Sequence, residues 1–135
     1  MIWTKDNWNF ESWPNFSFEE MACSHCGRNE MDVLFMSNLQ QIRRASGPLI
    51  VSSGFRCPEH EVEAKKSQPG AHTFGRAVDL AVRGAKALSV VKVALDYGMM
   101  GVGVSQTGDS RFIHLDTMNN TDDSGRFPRP TIWSY

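Results

Sequence analysis

The segment Arg76–Val82 alternates between two faces, and this alternation is the strongest constraint on the fold. Its three branched apolar residues would point to one side of an extended strand, and Asp79 would point to the other. A carboxylate in the middle of an apolar strand is costly unless it is paired or bound to a metal. Asp79 therefore predicts a polar or metal-binding site on one face of a sheet.

Three other segments are expected to be helical. Ser17–Glu20 has the form of a capping box and predicts a short helix. Asp32 is the expected N-cap of a second helix, which Gly47 would end. A third helix over residues 85–97 would turn three apolar side chains inward, namely Leu88, Val91 and Leu95. The polar stretch from Pro58 to Gln68 gives a weaker helical signal.

Four strands are expected in the same chain. Leu49–Ser53 is a short β-branched run, and Arg76–Val82 is the alternating segment. Gly101–Ser105 and Arg111–Thr117 are separated by a Gly-Asp-Ser turn and predict a hairpin. With about three helices, these strands predict a single α+β domain with a mainly antiparallel sheet. The tail from Arg126 to Tyr135 is too rich in proline to predict an element, although it ends in apolar residues.

The chain begins with a segment rich in tryptophan and asparagine. Residues 1–16 contain Trp3, Trp8 and Trp13 without helical or alternating spacing. We expect an aromatic arm that lies over the surface of a domain formed by residues 17–135. The segment lacks the basic and apolar regions of a signal peptide, so synthesis in the cytoplasm is expected.

Composition limits the classes of partner. The 135 residues carry a formal net charge of −1, which gives no electrostatic reason to expect nucleic acid or an anionic membrane as a partner. No stretch approaches the ~20 apolar residues that span a bilayer. We therefore expect that the protein neither binds nucleic acid nor inserts into a membrane. We also expect a monomer.

Two histidines could join Asp79 in a metal site. His72 lies seven residues earlier in the chain and would reach the strand from a loop. His114 lies within a predicted strand, and Asp116 shares its face. Two imidazoles and one carboxylate can hold a catalytic Zn²⁺ while leaving a fourth position open. The alternatives are core histidines held by hydrogen bonds and an aspartate paired with a nearby arginine.

The three cysteines and one further histidine form a second candidate metal set. Cys23-Ser-His-Cys26 is a CxxC knuckle and Cys57-Pro-Glu-His60 is a CxxH pair, which are spacings typical of tetrahedral structural zinc sites. Three cysteines cannot form a closed disulfide framework. Two interpretations stay open, a structural zinc site with three cysteines and one histidine, or a set of thiols that binds no metal.

Three ordered motifs resemble those of a known family. They are Ser53-Gly-Phe-Arg56, His72-x-x-Gly75-x-Ala77-x-Asp79 and Phe112-Ile-His-Leu-Asp116. Their order and spacing are similar to those of the zinc D-alanyl-D-alanine carboxypeptidase family, which shares its fold with the hedgehog signalling domain and with other peptidoglycan endopeptidases. The resemblance runs from about Phe16 to Trp133, and the small single-domain members found in phages and prophages look most alike.

The resemblance implies both an activity and a site. It implies a zinc-dependent peptidase that hydrolyses peptide stems of bacterial peptidoglycan, either as a D,D-carboxypeptidase or as an endopeptidase at an L-/D- junction. Such a protein would act in cell-wall lysis or remodelling after release or delivery to the wall. His72, Asp79 and His114 correspond to the zinc ligands of the family. Arg56 corresponds to the arginine that binds the substrate carboxylate or the developing oxyanion.

The sequence departs from the family pattern at the expected general base. Several branches carry an acidic residue three positions before the last zinc histidine, where this chain has Arg111. Asp116 is the first candidate for the base because it shares a strand face with His114, and Asp109 at the hairpin turn is the second. Glu61 is another departure, since many relatives have asparagine there, and it bears on substrate recognition.

Two other functions stay open on the sequence alone. The missing acidic residue before His114 favours a metal-bound but catalytically silent binding module on the same fold. The third possibility is a structural zinc module organised by Cys23, Cys26, Cys57 and His60, in which the histidine–aspartate triad would be incidental.

Overall fold

The computed structural model describes residues 1–135 and contains four helices and a five-stranded sheet. The helices are α1 (Phe18–Met21), α2 (Val33–Ser46), α3 (Glu61–Ala64) and α4 (Gly84–Asp96), with 3₁₀ segments at Ala71–Phe74 and Asp122–Gly125. The strands are β1 (Val51–Ser53), β2 (Ala77–Leu80), β3 (Gly101–Ser105), β4 (Phe112–Asp116) and β5 (Thr131–Ser134). None of the helices has the length and apolar character needed to cross a membrane.

The sheet confirms the predicted α+β class and brings two of the candidate ligands together. The strand order is β1-β2-β4-β3-β5, and every pairing is antiparallel except the one between β3 and β5. In the register of β2 and β4, Asp79 lies directly opposite His114. Val78 and Leu80, which flank Asp79, are fully buried in the main core. The alternation read from the sequence therefore separates a core face from a site face.

The predicted caps are present at both of the first helices. The Ser17 hydroxyl accepts a hydrogen bond from the Glu20 backbone N–H at 3.0 Å, and the Glu20 carboxylate accepts one from the Ser17 N–H at 2.9 Å. The Asp32 carboxylate accepts a hydrogen bond from the Phe35 N–H at 2.9 Å. These bonds satisfy N–H groups that have no partner within their own helix. They fix the starts of α1 and α2.

The predicted inward face of α4 is wrong for two of its three residues, since only Val91 is partly buried against the main core, although the helix itself begins and ends within one residue of the expectation. Leu88 and Leu95 are 74% and 60% exposed, and the buried residues are Ala87, Val90 and Ala94. The helix carries two apolar stripes offset by one position, so its sequence pattern does not choose between them. The small side chains face inward where α4 packs against α2 and β4.

The C-terminal tail forms a strand, which corrects the expectation that it contains no element. β5 begins directly after Pro130 and pairs in parallel with β3 at the edge of the sheet. Proline cannot donate a ladder hydrogen bond, but it is tolerated just before an edge strand. The proline content therefore marks where the strand starts rather than excluding one.

The aromatic segment at the N-terminus is not an arm on the surface. Trp3, Trp8 and Trp13 are all buried and belong to the main core cluster, and their rings meet edge to face at centroid distances of 5.6–5.8 Å. The Trp3 and Trp8 indole N–H groups donate to the carbonyls of Met31 and Phe16, each at 2.8 Å. The domain boundary between residues 16 and 17 stays a prediction. The core cluster contains side chains from both sides of it.

Candidate active site

The three candidate ligands converge on a single carboxylate oxygen. His72 Nε2 and His114 Nδ1 each lie 3.2 Å from Asp79 Oδ1. All three side chains are buried, and one ligand atom from each lies within 4.8 Å of the others. The 3₁₀ segment before β2 carries the first histidine, and the paired strands β2 and β4 carry the other two residues. The fold thus assembles the predicted ligand set.

A backbone carbonyl fixes the orientation of the His72 ring. His72 Nδ1 lies 2.7 Å from the carbonyl oxygen of Gly54. Because a carbonyl oxygen only accepts hydrogen bonds, Nδ1 must carry the proton. Burial lowers the pKa of His72 below its ordinary value, against the opposing effect of Asp79. The neutral ring therefore turns the Nε2 lone pair towards the shared carboxylate oxygen.

His114 is held from behind by a buried ion pair. Its Nε2 lies 2.7 Å from Asp116 Oδ2, and Arg129 donates to both oxygens of the same carboxylate, at 2.9 Å and 2.8 Å. Burial alone would lower the pKa of His114, but the hydrogen bonds to Asp116 and Asp79 raise it above its ordinary value. With Nε2 engaged by Asp116, Nδ1 is the atom that faces Asp79.

The second oxygen of Asp79 is engaged by Arg56. Arg56 Nη2 donates to Asp79 Oδ2 at 3.1 Å, Nη1 donates to Glu63 at 3.3 Å and Nε donates to the Ser53 hydroxyl at 3.0 Å. Burial would raise the pKa of the Asp79 carboxyl, but the neighbouring His114 and His72 rings hold it well below its usual range. Asp79 is therefore an anion at neutral pH.

The arrangement fits a tetrahedral zinc ion. Zinc bonds to nitrogen and oxygen of about 2.0–2.1 Å place neighbouring ligand atoms about 3.3 Å apart. The two nitrogen–oxygen distances of 3.2 Å are close to that value. A lone pair of neutral His72 faces a carboxylate in a buried position, and such a contact is favourable when a cation lies between the two groups. Each ligand also has a hydrogen-bond partner on the side away from the ion, as metal-binding side chains need, and these outer partners are Gly54, Asp116 and Arg56.

The candidate ligands line an open pocket of about 460 Å³. Three cationic residues share its wall, namely Arg56, Lys66 and Arg129. The aromatic part of the wall includes Trp133 and Tyr135, and the Trp133 ring lies 5.1 Å from the His114 ring and under the Arg129 guanidinium. A cleft with buried metal-ligating groups, fixed cations and apolar walls can bind and polarise a peptide.

The sequence analysis missed several residues of this site, including Glu63, Arg129, Trp133 and Tyr135. Glu63 is buried and accepts hydrogen bonds from Arg56, Lys66, the Gly70 N–H and the Thr73 hydroxyl. It lies in the polar stretch after Pro58, where no local pattern distinguishes it from exposed glutamates. The other three lie in the tail for which no element was predicted. Their place in the pocket becomes apparent only when β5 pairs with β3.

The geometry is unfavourable for both predicted general bases. Asp116 is fully buried, and its oxygens accept hydrogen bonds from His114, Arg129 and the Met118 N–H. Burial would raise the pKa of Asp116, but His114 and Arg129 hold it below its ordinary value, which weakens the carboxylate as a proton acceptor. Asp109 lies in the exposed turn between β3 and β4, outside the pocket.

The second predicted metal set is only partly assembled. Cys23, Cys26 and Cys57 form a group whose sulfur atoms lie within 4.8 Å of one another. His60 lies outside this group, because its Nδ1 accepts from the Val62 N–H at 3.1 Å and its Nε2 lies 3.2 Å from the Ser24 hydroxyl. The three cysteines are free thiols in the structure.

Gly75 joins the histidine-bearing segment to the start of α2. It ends the 3₁₀ segment with φ +70°, a conformation that favours glycine. A Cβ atom there would overlap the Glu30 carbonyl, and the Gly75 carbonyl accepts from the Asp32 N–H at 2.9 Å. The glycine of the His-x-x-Gly motif is therefore required by packing.

Comparison with known proteins agrees with this site. A family model described as peptidase M15 matches residues 14–116. The chain belongs to the peptidase M15 family, as the three motifs predicted. Zinc-dependent peptidases make up that family, and His72, Asp79 and His114 form the candidate site for the ion. A comparison with curated proteins found no match.

Proposed function

We propose that the protein is a zinc-dependent peptidase that hydrolyses the peptide stems of bacterial peptidoglycan. The observation that supports this best is the convergence of His72, Asp79 and His114 in an open pocket. Family membership supports the class of substrate. The bond cleaved is either the terminal one, as in a D,D-carboxypeptidase, or an L-/D- junction within the stem, as in an endopeptidase.

The role of the chain around zinc is to hold three ligand atoms in fixed positions. When bound, Zn²⁺ polarises a carbonyl oxygen and makes water a better nucleophile at neutral pH. Gly54 fixes the His72 ring and Asp116 fixes the His114 ring. Two imidazoles and one carboxylate would hold a zinc ion and leave one of its positions open.

Arg56 is the residue we assign to substrate binding. A guanidinium has five N–H groups, and Ser53, Glu63 and Asp79 each engage one of its nitrogens. Two N–H groups thus remain for a substrate carboxylate or a developing oxyanion. Lys66 and Arg129 add positive charge to the same pocket, which favours an anionic peptide.

We place this activity on the cell wall, in lysis or remodelling, with the protein acting as a monomer after release or delivery. Family membership supports wall peptides as the partner, and the formal net charge of −1 gives no electrostatic reason to expect nucleic acid or an anionic membrane. Sedimentation of the purified protein, alone and with soluble muropeptides, should give the mass of a single chain, and the mass of a dimer would contradict the proposed monomer.

The deciding experiment is mass spectrometry of muropeptides after digestion. Zinc-loaded protein should shorten stem peptides, chelation should stop the reaction and added zinc should restore it. His72→Ala should remove activity while circular dichroism shows a folded chain, and His25→Ala, at an exposed histidine outside the pocket, should retain activity. Zinc-loaded protein that leaves all muropeptides intact would refute the peptidase.

A second function, a metal-binding but catalytically silent wall or protein module, is favoured by one observation. Both pocket carboxylates, Asp79 and Asp116, are engaged on both oxygens, so neither is free to take a proton from water. Arg111, at the position where several branches of the family carry an acidic residue, donates to the Gly108 carbonyl at 2.9 Å. Co-sedimentation with purified cell walls without any muropeptide turnover would support this module.

A further inference from the structure

Three thiols from distant parts of the chain meet beside the active-site segment. Cys23 and Cys26 lie in the loop after α1, whereas Cys57 lies in the loop after β1, 34 residues beyond Cys23. Their sulfur atoms lie within 4.8 Å of one another, with Cys23 and Cys57 buried and Cys26 exposed. Apolar packing alone does not require the exposed thiol to converge with the buried pair.

Backbone hydrogen bonds hold this cluster in place before any ligand binds. The Gly27 N–H donates to the Cys23 carbonyl at 2.8 Å, and the Cys23 N–H donates to the Arg28 carbonyl at 2.7 Å, which closes a tight turn around the knuckle. The Cys57 N–H donates to Cys23 Sγ at 3.3 Å. This bond joins the loop after β1 to the knuckle at the sulfur atom itself.

We propose that Cys23, Cys26 and Cys57 bind a second, structural zinc ion as three thiolates, with His60 as the fourth ligand. Three thiolates and one imidazole form a closed tetrahedral set that suits zinc. The His60 ring already contacts the knuckle through Ser24. To ligate, His60 gives up the Val62 N–H bond so that the Nδ1 lone pair faces the ion, and the three thiols release their protons on binding.

The ion would tie the knuckle to the segment that carries Arg56. Cys57 follows Arg56 directly, and the Phe55 N–H donates to the Met21 carbonyl at 2.9 Å, so the two loops already touch on both sides of this arginine. Binding at the cysteines would therefore position the Arg56 guanidinium in the pocket. This consequence, unlike the metal site itself, rests on the proposed peptidase function.

Zinc counting by elemental analysis of the full chain tests the site without any activity measurement. The wild-type chain should hold two zinc ions, and Cys26→Ser and His114→Ala should each hold one. Cys26 is exposed, so its replacement removes little packing. If wild type holds a single zinc that Cys26→Ser retains and His114→Ala loses, the second site is refuted even though the peptidase stands.

Cobalt substitution provides a measurement on the unmodified chain. Co²⁺ at the proposed site should show near-ultraviolet charge transfer from thiolate, which should persist in His72→Ala and disappear in Cys26→Ser. The absence of that band from fully loaded wild type would overturn the proposal. So would a loss of two hydrogen atoms in the intact mass of freshly purified protein, because it would show a disulfide in place of the metal.

The fourth ligand and the effect on Arg56 have their own variants. His60→Ala should weaken zinc binding at the cysteines at least tenfold, while His25→Ala, which removes an imidazole inside the knuckle, should leave it unchanged. Equal affinity in both variants would refute His60 as a ligand. On muropeptides, Cys26→Ser should raise KM more than it lowers kcat, and an unchanged KM would refute the positioning of Arg56.

Discussion

The two candidate metal sites differ in how the fold builds them. The histidine–aspartate site lies on two adjacent strands and on the 3₁₀ segment that precedes the first of them, and each of its ligands has a hydrogen-bond partner behind it. The cysteine site lies on two loops and has one hydrogen bond between them that reaches a sulfur atom. Strands hold side chains in fixed positions, as catalysis requires, whereas loops gain order when an ion joins them. The first site is thus preorganised and the second acts as a cross-link.

The two sites meet in residues 54–57. The Gly54 carbonyl accepts from His72, Arg56 contacts Asp79, and the Cys57 N–H contacts Cys23. One four-residue segment therefore contributes to both sites. Variants that affect one site and spare the other show how independent they are.

Asp79→Asn should have the largest effect and should affect the first site alone. The amide lacks the negative charge that two imidazoles and a zinc ion face, so we expect loss of the active-site zinc and a fall in kcat/KM of at least about 10³-fold. Elemental analysis should still find the zinc at the cysteines. Full muropeptide turnover by Asp79→Asn would refute the assignment of Asp79 as a zinc ligand.

Asp116→Asn should have an intermediate effect, because an amide oxygen can still accept from His114 Nε2 but no longer pairs with Arg129. Loss of such an outer partner lowers metal affinity by about 10–100-fold. Zinc affinity measured with a competing chelator should show this fall, with Asp109→Asn as the control at an exposed aspartate. If zinc affinity is unchanged and kcat alone collapses, Asp116 is the general base after all.

Glu63→Gln should lower the free energy of unfolding at neutral pH and should make it less sensitive to acid pH. Burial would raise the pKa of Glu63, but the Gly70 N–H and Lys66 lower it to about 2, and Arg56 adds to their effect. The carboxylate therefore stabilises the fold above about pH 4.5, and this contribution is lost as the pH falls towards 2.

Urea unfolding at neutral pH should show a loss of about 2 kcal/mol in Glu63→Gln, and the variant should lose less stability than wild type between pH 4.5 and 2. Glu61→Gln, at an exposed glutamate of the same helix, is the matched control. Equal acid sensitivity in wild type and Glu63→Gln would contradict the assignment.

Tyr135→Phe should have the smallest effect. The Tyr135 hydroxyl lies over Gly103 beside the Trp133 indole nitrogen, where a Cβ atom on that glycine would meet both groups. Burial raises the pKa of Tyr135, so the hydroxyl stays protonated and can donate to a bound peptide. We expect a loss of up to about tenfold in kcat/KM and unchanged zinc content. Tyr97→Phe, outside the pocket, should change neither.

Local rules predicted the parts of the fold that depend on neighbours in sequence. The Ser17 capping box, the Asp32 cap and the strand alternation around Asp79 each involve residues two to four positions apart. Residues whose partners are distant were not predictable in this way. Glu63 resembles any exposed glutamate until Gly70 and Arg56 surround it, and Arg129 gains its role only when β5 places it against Asp116.

The same limit explains the two misread apolar regions. On α4, the stripe with Leu88 and the stripe with Ala87 are both apolar, and the close approach of α2 and β4 selects the stripe with the smaller side chains. The tryptophans of residues 1–16 have no period because they pack on one another and on the core rather than along one face of an element. Tertiary packing decided both cases.

The packing of Gly75 has a consequence for recognising proteins of this kind. In the His-x-x-Gly-x-Ala-x-Asp motif, His72 and Asp79 serve chemistry, whereas Gly75 and the fully buried Ala77 serve the fold. A descendant that abandoned hydrolysis would be free to change the first pair but would still need the second. Sequences that keep the small residues and vary the polar ones are therefore where inactive descendants of this fold should be sought.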